Sequence, residues 1–222
     1  MTLRVIEIES APNPTASIIV LHGLGADGND FVPVAKELNL SAVGPVRFIF
    51  PHAPQIPVTI NGGHVMNAWY DILELAIDRR EVEAGLRKSQ QAIDALIDHE
   101  KARGIPASRI VLAGFSQGCA MTLLTGIRHR ERLAGLAALS GYMPLLTKLE
   151  AERHPGNHDV PIFMAHGRQD PVVNIARGIA ARDALVKLGY DVEWHDYPMP
   201  HSVSAQEIAD LNKWLLKVLT PR

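Results

Sequence analysis

Short apolar runs alternate with longer amphipathic runs along most of the chain. Several of the short runs are apolar at consecutive positions, which is typical of strands that are covered on both faces. This alternation predicts an α/β fold, with a mostly parallel central sheet and helices on both of its faces. The predicted strands are residues 3–8, 17–22, 46–50, 109–113, 133–139, 161–166 and 191–197.

The clearest helical pattern covers about residues 80–103. Apolar residues recur at 3.6-residue spacing on one face between Val82 and Ile97, while charged residues take the other positions. Gly104 and Pro106 mark the end of this helix, because glycine caps helices and proline cannot continue them. Three further helices are predicted, directly after residue 116, over about 174–188 and over about 205–219.

Two long connections, about residues 51–72 and 142–160, are rich in Pro, Gly, Asn and His. They are predicted to lack regular structure, and loops of this length are usually binding elements. Neither connection shows a shift in composition that would mark a boundary. We therefore expect residues 1–222 to form one domain.

Composition and charge exclude several classes of protein. The chain has 22 basic and 24 acidic residues, and this balance argues against nucleic acid as a partner. No apolar run approaches the ~18 residues that a membrane span needs, and the first residues carry no secretory or myristoylation signal. We expect a cytoplasmic protein. Its single cysteine, Cys119, precludes an internal disulfide and is expected to pack in the interior.

The segment 114–118 reads Gly-Phe-Ser-Gln-Gly and joins an apolar run to a predicted helix. Small residues on both sides of Ser116 permit a sharp strand-to-helix turn, which exposes the hydroxyl at the positive end of a helix. This is the setting that a serine nucleophile requires. A tight turn with a solvated serine is the alternative interpretation of the pattern alone.

A serine nucleophile needs a base, and the base needs an acid that orients it. Asp170 follows a predicted strand and a glycine-containing turn, and His201 lies in the loop between the last strand and the last helix. Their order after Ser116 fits an acid and a base, although Asp170 before proline is also a common helix start. The rival residues are Asp159, Asp183 and His195.

Acyl transfer also needs donors for the developing oxyanion. The backbone N–H groups of Gln117 and of Leu24, in the loop after the second predicted strand, are the candidates. That loop has the Gly-x-Gly-x-x-Gly spacing of a dinucleotide site, but no helical pattern follows at once and no acidic residue stands where the ribose is bound. His154 and His158 have the spacing of metal ligands without further convergent ligands, so no metal is expected.

Taken together, six segments resemble the carboxylesterase and acyl-protein thioesterase family of α/β-hydrolases. They occur in family order and are residues 21–28, 50–54, 67–71, 114–118, 166–173 and 200–203. The resemblance implies an α/β-hydrolase fold with a Ser116–Asp170–His201 triad and an oxyanion hole from Leu24 and Gln117. It also implies that no cofactor is used.

The same resemblance implies that the loop 56–69 borders an acyl-binding channel. The residues expected to line it are Ile56, Val65, Met66 and Trp69. Two positions depart from the family pattern. Tyr70 stands where the family usually has Phe, and Pro200 stands where Gly often precedes the base.

The expected function is that of a serine carboxylesterase, which cleaves esters or thioesters with apolar acyl chains through a covalent acyl-enzyme. A lysophospholipase or an acyl-protein thioesterase with the same machinery is an alternative, as is a non-catalytic α/β-hydrolase scaffold. The substrate is then a small ester or thioester, an acylated protein or a lysophospholipid. A homodimer is left open by exposed apolar residues in the loops.

Overall fold

A seven-stranded sheet forms the centre of the computed structural model, which describes residues 3–73 and 82–220. Its strands lie in the order β1-β3-β2-β6-β7-β8-β9, and only β1 runs antiparallel to its neighbour. A separate hairpin is formed by β4 and β5. The strands are β1 (Val5–Glu9), β2 (Ala16–Leu21), β3 (Val46–Pro51), β4 (Gln55–Val58), β5 (His64–Asn67), β6 (Ile110–Phe115), β7 (Gly135–Leu139), β8 (Ile162–Gly167) and β9 (Val192–Tyr197).

Helices cover both faces of the sheet. They are α1 (Val32–Glu37), α2 (Glu83–Ala102), α3 (Gln117–Arg128), α4 (Leu149–Glu152), α5 (Ile175–Lys187) and α6 (Ala205–Leu219). Successive side chains of a strand point to opposite faces, so Ile19 and Leu112 pack with α2, α3 and α5, whereas Ile18 and Val111 pack with α1 and α6. The predicted mostly parallel sheet with helices on both faces is confirmed.

Each of the seven predicted strands overlaps one strand of the central sheet. The first predicted helix is observed from Glu83, and the proposed start at Arg80 lies outside the described residues. The other three predicted helices correspond to α3, α5 and α6.

The prediction that the two long connections lack regular structure is wrong. The first contains the β4–β5 hairpin, and the second contains α4 and two short 3₁₀ segments. The hairpin strands have four residues each and pair only with each other, so they show no buried apolar run. The sequence pattern also missed α1, which is six residues long and buries only Ala35.

The last helix begins directly after the loop that carries His201. The Ser204 hydroxyl accepts the Glu207 N–H at 3.2 Å, and the Ser204 N–H donates to Glu207 Oε2 at 3.4 Å, which together form a capping box. Glu207 is completely buried. Burial raises the pKa of its carboxyl to about 8, and the Ser204 N–H offsets only part of that rise.

We predict that Glu207→Gln increases in stability relative to the wild type as the pH rises from 4.5 to 8. In this window the folded protein retains the Glu207 proton that the unfolded chain loses, so wild-type stability falls by up to about 1.4 kcal/mol per pH unit. Glutamine cannot ionise but keeps the capping acceptor. Urea unfolding at pH 5, 6.5 and 8 measures the difference, with exposed Glu150→Gln as the control. A difference that does not vary with pH contradicts the prediction.

Candidate active site

The turn between β6 and α3 holds Ser116 in a conformation that few non-glycine residues adopt. Its φ is 56° and its ψ is −115°. The two glycines around it have no room for a side chain. A Cβ at Gly114 would lie 2.3 Å from the Gly118 carbonyl oxygen, and one at Gly118 would lie 2.0 Å from the Leu21 carbonyl oxygen. Both glycines are therefore required by close approach of the backbone, as the sequence predicts for a sharp turn.

The Ser116 backbone is anchored while its hydroxyl is not used to cap the helix. The Ser116 N–H donates to the Leu139 carbonyl at 2.9 Å. The side chain makes no capping hydrogen bond to the first turn of α3, all of which lies in the described part of the chain. The hydroxyl therefore stands at the positive end of a 12-residue helix, where negative charge is stabilised.

Asp170 follows β8 and has a completely buried carboxylate. Its Oδ1 accepts the N–H groups of Val172 and Val173, each at 2.8 Å. Its Oδ2 lies 2.6 Å from Nδ1 of His201. An ionised Asp170 can only accept, so Nδ1 carries the proton and Nε2 is left with the lone pair that a general base needs.

The loop after β9 brings His201 beside the serine turn. The ring of Phe115, the residue before Ser116, has its centroid 4.7 Å from that of His201. The loop also interlocks with the end of β8, because a Cβ at Gly167 would lie 2.4 Å from the carbonyl oxygens of Met199 and Pro200. The structure thus joins the predicted acid to the predicted base and packs the base against the turn of the predicted nucleophile.

The rival residues have other surroundings. Asp159 forms an ion pair with Arg132 at 3.0 Å, and Asp183 lies on the exposed side of α5. The His195 ring stacks on that of Phe163, on the neighbouring strand, with 5.1 Å between the centroids. His195 therefore packs against a neighbouring strand of the sheet.

The loop after β2 packs against the serine turn. A Cβ at Gly23 would lie 3.3 Å from the Cβ of Ser116. Gly25 has a φ of 76° and donates its N–H to the Asn67 carbonyl at 2.9 Å, which fixes the loop to β5. The backbone of Leu24 is therefore held between two anchored glycines, close to Ser116. Its role as an oxyanion donor stays a prediction.

A buried histidine supports this loop, and the sequence interpretation gave it no role of its own. The Ala53 N–H donates to Nε2 of His22 at 3.0 Å, so the proton of the neutral ring lies on Nδ1, which donates to the Gly23 carbonyl at 2.7 Å. Burial lowers the pKa of His22 and favours this neutral form. The His22 carbonyl in turn accepts the indole N–H of Trp69 at 2.9 Å.

The predicted channel residues lie on or after the β4–β5 hairpin. Val65 is 65% exposed and Ile56 is partly buried. The Met66 sulfur lies 3.8 Å from the Cβ position of Gly25, which places it beside the loop after β2. Trp69 is only 1% exposed, and its indole N–H donates to the His22 carbonyl of the loop after β2. Contact of these four side chains with an acyl chain stays a prediction.

Other candidate chemistry has structural explanations. His154 caps a 3₁₀ segment by accepting the Gly156 N–H at 3.1 Å. Burial raises the pKa of Cys119, so its thiol stays protonated in the interior. Within residues 3–73 and 82–220, no cluster of three or more His, Cys, Asp or Glu side chains could hold a metal ion. None of the helices in these ranges combines the length and apolar content needed to cross a bilayer.

Comparison with known proteins gives consistent matches over nearly the whole chain. The family model described as phospholipase/carboxylesterase matches residues 3–219. The chain is 39% identical to acyl-protein thioesterase 1 of Yarrowia lipolytica, with 95% of each protein covered. It is 43% identical to acyl-protein thioesterase 1 of Neurospora crassa, over 92% of this chain and 87% of the relative.

Two solved structures also superpose on nearly the whole chain. Arabidopsis thaliana SOBER1 superposes with a TM-score of 0.88 at 30% identity, over 92% of this chain and 99% of the other. Acyl-protein thioesterase 2 of Zea mays superposes with a TM-score of 0.86 at 26% identity, over 97% of this chain and 99% of the other. The family resemblance and the fold predicted from the sequence are thereby confirmed. The chain is a hydrolase that belongs to the phospholipase/carboxylesterase family and has the α/β-hydrolase fold.

Proposed function

We propose that this hydrolase cleaves esters or thioesters with apolar acyl chains through a covalent intermediate on Ser116. The observation that carries the proposal is the 2.6 Å contact between Asp170 Oδ2 and His201 Nδ1, next to a serine in a strained turn. This contact leaves Nε2 of His201 as the base. Strained backbone in such a turn is a feature of functional sites.

In the proposed reaction, Ser116 Oγ attacks the acyl carbonyl carbon while its proton passes to Nε2 of His201. Asp170 stabilises the imidazolium that forms. The backbone N–H groups of Leu24 and Gln117 bind the oxyanion of the tetrahedral intermediate. Collapse breaks the bond to the leaving alcohol or thiol, which takes the proton from His201. Water then attacks the acyl-serine while its proton passes to His201; the acyl–Oγ bond breaks, His201 returns the proton to Ser116 Oγ, and the carboxylic acid is released.

The family and its relatives indicate the substrate class. A phospholipase/carboxylesterase family model favours oxygen esters, whereas relatives named acyl-protein thioesterase 1 favour the thioesters of acylated proteins. The partly exposed apolar side chains of the hairpin, such as Ile56 and Met66, are suited to an acyl chain. Oxygen esters and thioesters of increasing chain length, compared by kcat/KM, distinguish these substrates. A homodimer and a cytoplasmic location stay predictions.

We predict that Ser116→Ala lowers turnover of short p-nitrophenyl esters by at least about 10³-fold, because the nucleophile is lost. Labelling by a fluorophosphonate probe is lost as well. Ser108→Ala is the matched control, because Ser108 is exposed and lies at the opposite end of β6 from Ser116. A folded Ser116→Ala variant that keeps most of its activity excludes this nucleophile. A wild-type protein that the probe does not label supports the non-catalytic scaffold instead.

We predict that Asp170→Asn lowers kcat by about 10³- to 10⁴-fold and changes KM less than threefold. The amide favours the wrong tautomer of His201 and cannot stabilise the imidazolium, a loss of the size seen for the chymotrypsin acid. Asp159→Asn and Asp183→Asn serve as controls and should retain wild-type kcat. Steady-state kinetics that show the large loss in either control, and not in Asp170→Asn, would reassign the acid.

A further inference from the structure

The Gln117 side chain forms two hydrogen bonds to the Trp69–Tyr70 dipeptide. This dipeptide lies beside the loop after β2 that carries Leu24, called the oxyanion loop below. The Gln117 Oε1 accepts the Trp69 N–H at 2.8 Å, and its Nε2 donates to the Tyr70 carbonyl at 2.7 Å. Gln117 is 3% exposed, so both bonds lie away from water. These contacts are separate from the backbone N–H of Gln117, which the proposed reaction uses for the oxyanion.

The clamped dipeptide has further anchors. The Trp69 indole donates to the carbonyl of His22, at the start of the oxyanion loop, at 2.9 Å. The Ser89 hydroxyl, on α2, donates to the Trp69 carbonyl. Gln117, the residue after the proposed nucleophile, is therefore linked through this dipeptide to the loop of the second oxyanion donor and to α2.

On the far side, the dipeptide is joined to the loop after β7. The hydroxyls of Tyr70 and Tyr142 are hydrogen-bonded, and both residues are at least 95% buried. Tyr142 follows Gly141, where a Cβ would lie 2.8 Å from the Ser116 carbonyl oxygen. The Arg177 guanidinium lies over the Tyr142 ring, 3.7 Å from its centroid. The contacts thus form a closed ring that starts and ends at the serine turn.

We propose that the Gln117 side chain and the Tyr70–Tyr142 hydroxyl pair position the nucleophile and the oxyanion donors, and that Gln117, Tyr70 and Tyr142 are positioning residues. The proposal rests on the proposed function of Ser116. Oxyanion donors act only if they are held in place before the reaction, and a strained turn persists only where its surroundings determine it. The closed ring supplies this support.

Gln117→Met tests the proposal, because methionine matches the length of glutamine, keeps the backbone N–H and cannot clamp Trp69 and Tyr70. We expect kcat to fall by about 10- to 100-fold, while KM stays within about threefold of the wild-type value. The reason is that the buried Trp69 N–H and Tyr70 carbonyl lose their hydrogen bonds, so the oxyanion donors are held less firmly. The rate of fluorophosphonate labelling should fall in parallel. Circular dichroism melts establish that the variant is folded at the assay temperature.

Tyr70→Phe removes one oxygen atom and tests the ring even where Gln117→Met does not fold. We expect kcat to fall by about three- to tenfold. The kcat of the double variant should lie within about twofold of that of Gln117→Met, because the first substitution already interrupts the ring of contacts and the second adds little. Tyr190→Phe is the control, since this buried tyrosine precedes β9, at the ends of the parallel strands opposite to the serine turn.

Three outcomes overturn the positioning role. They are a folded Gln117→Met variant with kcat within twofold of the wild type, a Tyr70→Phe variant that matches Tyr190→Phe, and losses that multiply in the double variant. None of these affects the proposed function, which fails separately if the wild-type protein is not labelled at Ser116.

Discussion

The close approach of α3 to the end of β2 is the constraint on which the site depends. Gly118 lies so near the Leu21 carbonyl that a Cβ would come within 2.0 Å of its oxygen. Without a methyl group at this position, the helix can start directly beneath the loop that follows β2, and Ser116 must turn through φ 56° to connect β6 to it. The proposed nucleophile and the proposed oxyanion loop are therefore brought together by the same backbone contact.

The proposed acid and base come from loops after β8 and β9, and His201 packs beside the serine turn. Strands β6 and β9 are three positions apart in the sheet, which is about 14 Å at the usual strand spacing. The loop after β9 must therefore cross the ends of β8 and β7, and Gly167 provides the space for its carbonyl groups. Two backbone N–H groups satisfy Oδ1 of the buried Asp170, while Oδ2 holds His201. Fixing the carboxylate in this way orients the imidazole ring through Nδ1.

The features that the sequence predicted are those encoded in local patterns. Short β-branched and apolar runs identified all seven strands of the central sheet, including the partly buried edge strands β1 and β9, and the glycines around Ser116 predicted the sharp turn. The β4–β5 hairpin was missed because its strands bury little and pair only with each other. The contacts of Gln117 with Trp69 and of Tyr70 with Tyr142 join residues 48 and 72 positions apart, which no local pattern reveals. Tyr70 was recognised only as a departure from the family, and its hydroxyl has a partner because Tyr142 supplies one.

The central claim is that the acyl group passes through Ser116. The most direct measurement is peptide mapping by mass spectrometry, after acid quenching of the wild-type enzyme during turnover of an octanoyl thioester. The account predicts an added octanoyl mass on the peptide that contains Ser116, with a lifetime that matches the rate of hydrolysis. An octanoyl group carried by a different side chain during the same turnover would contradict it.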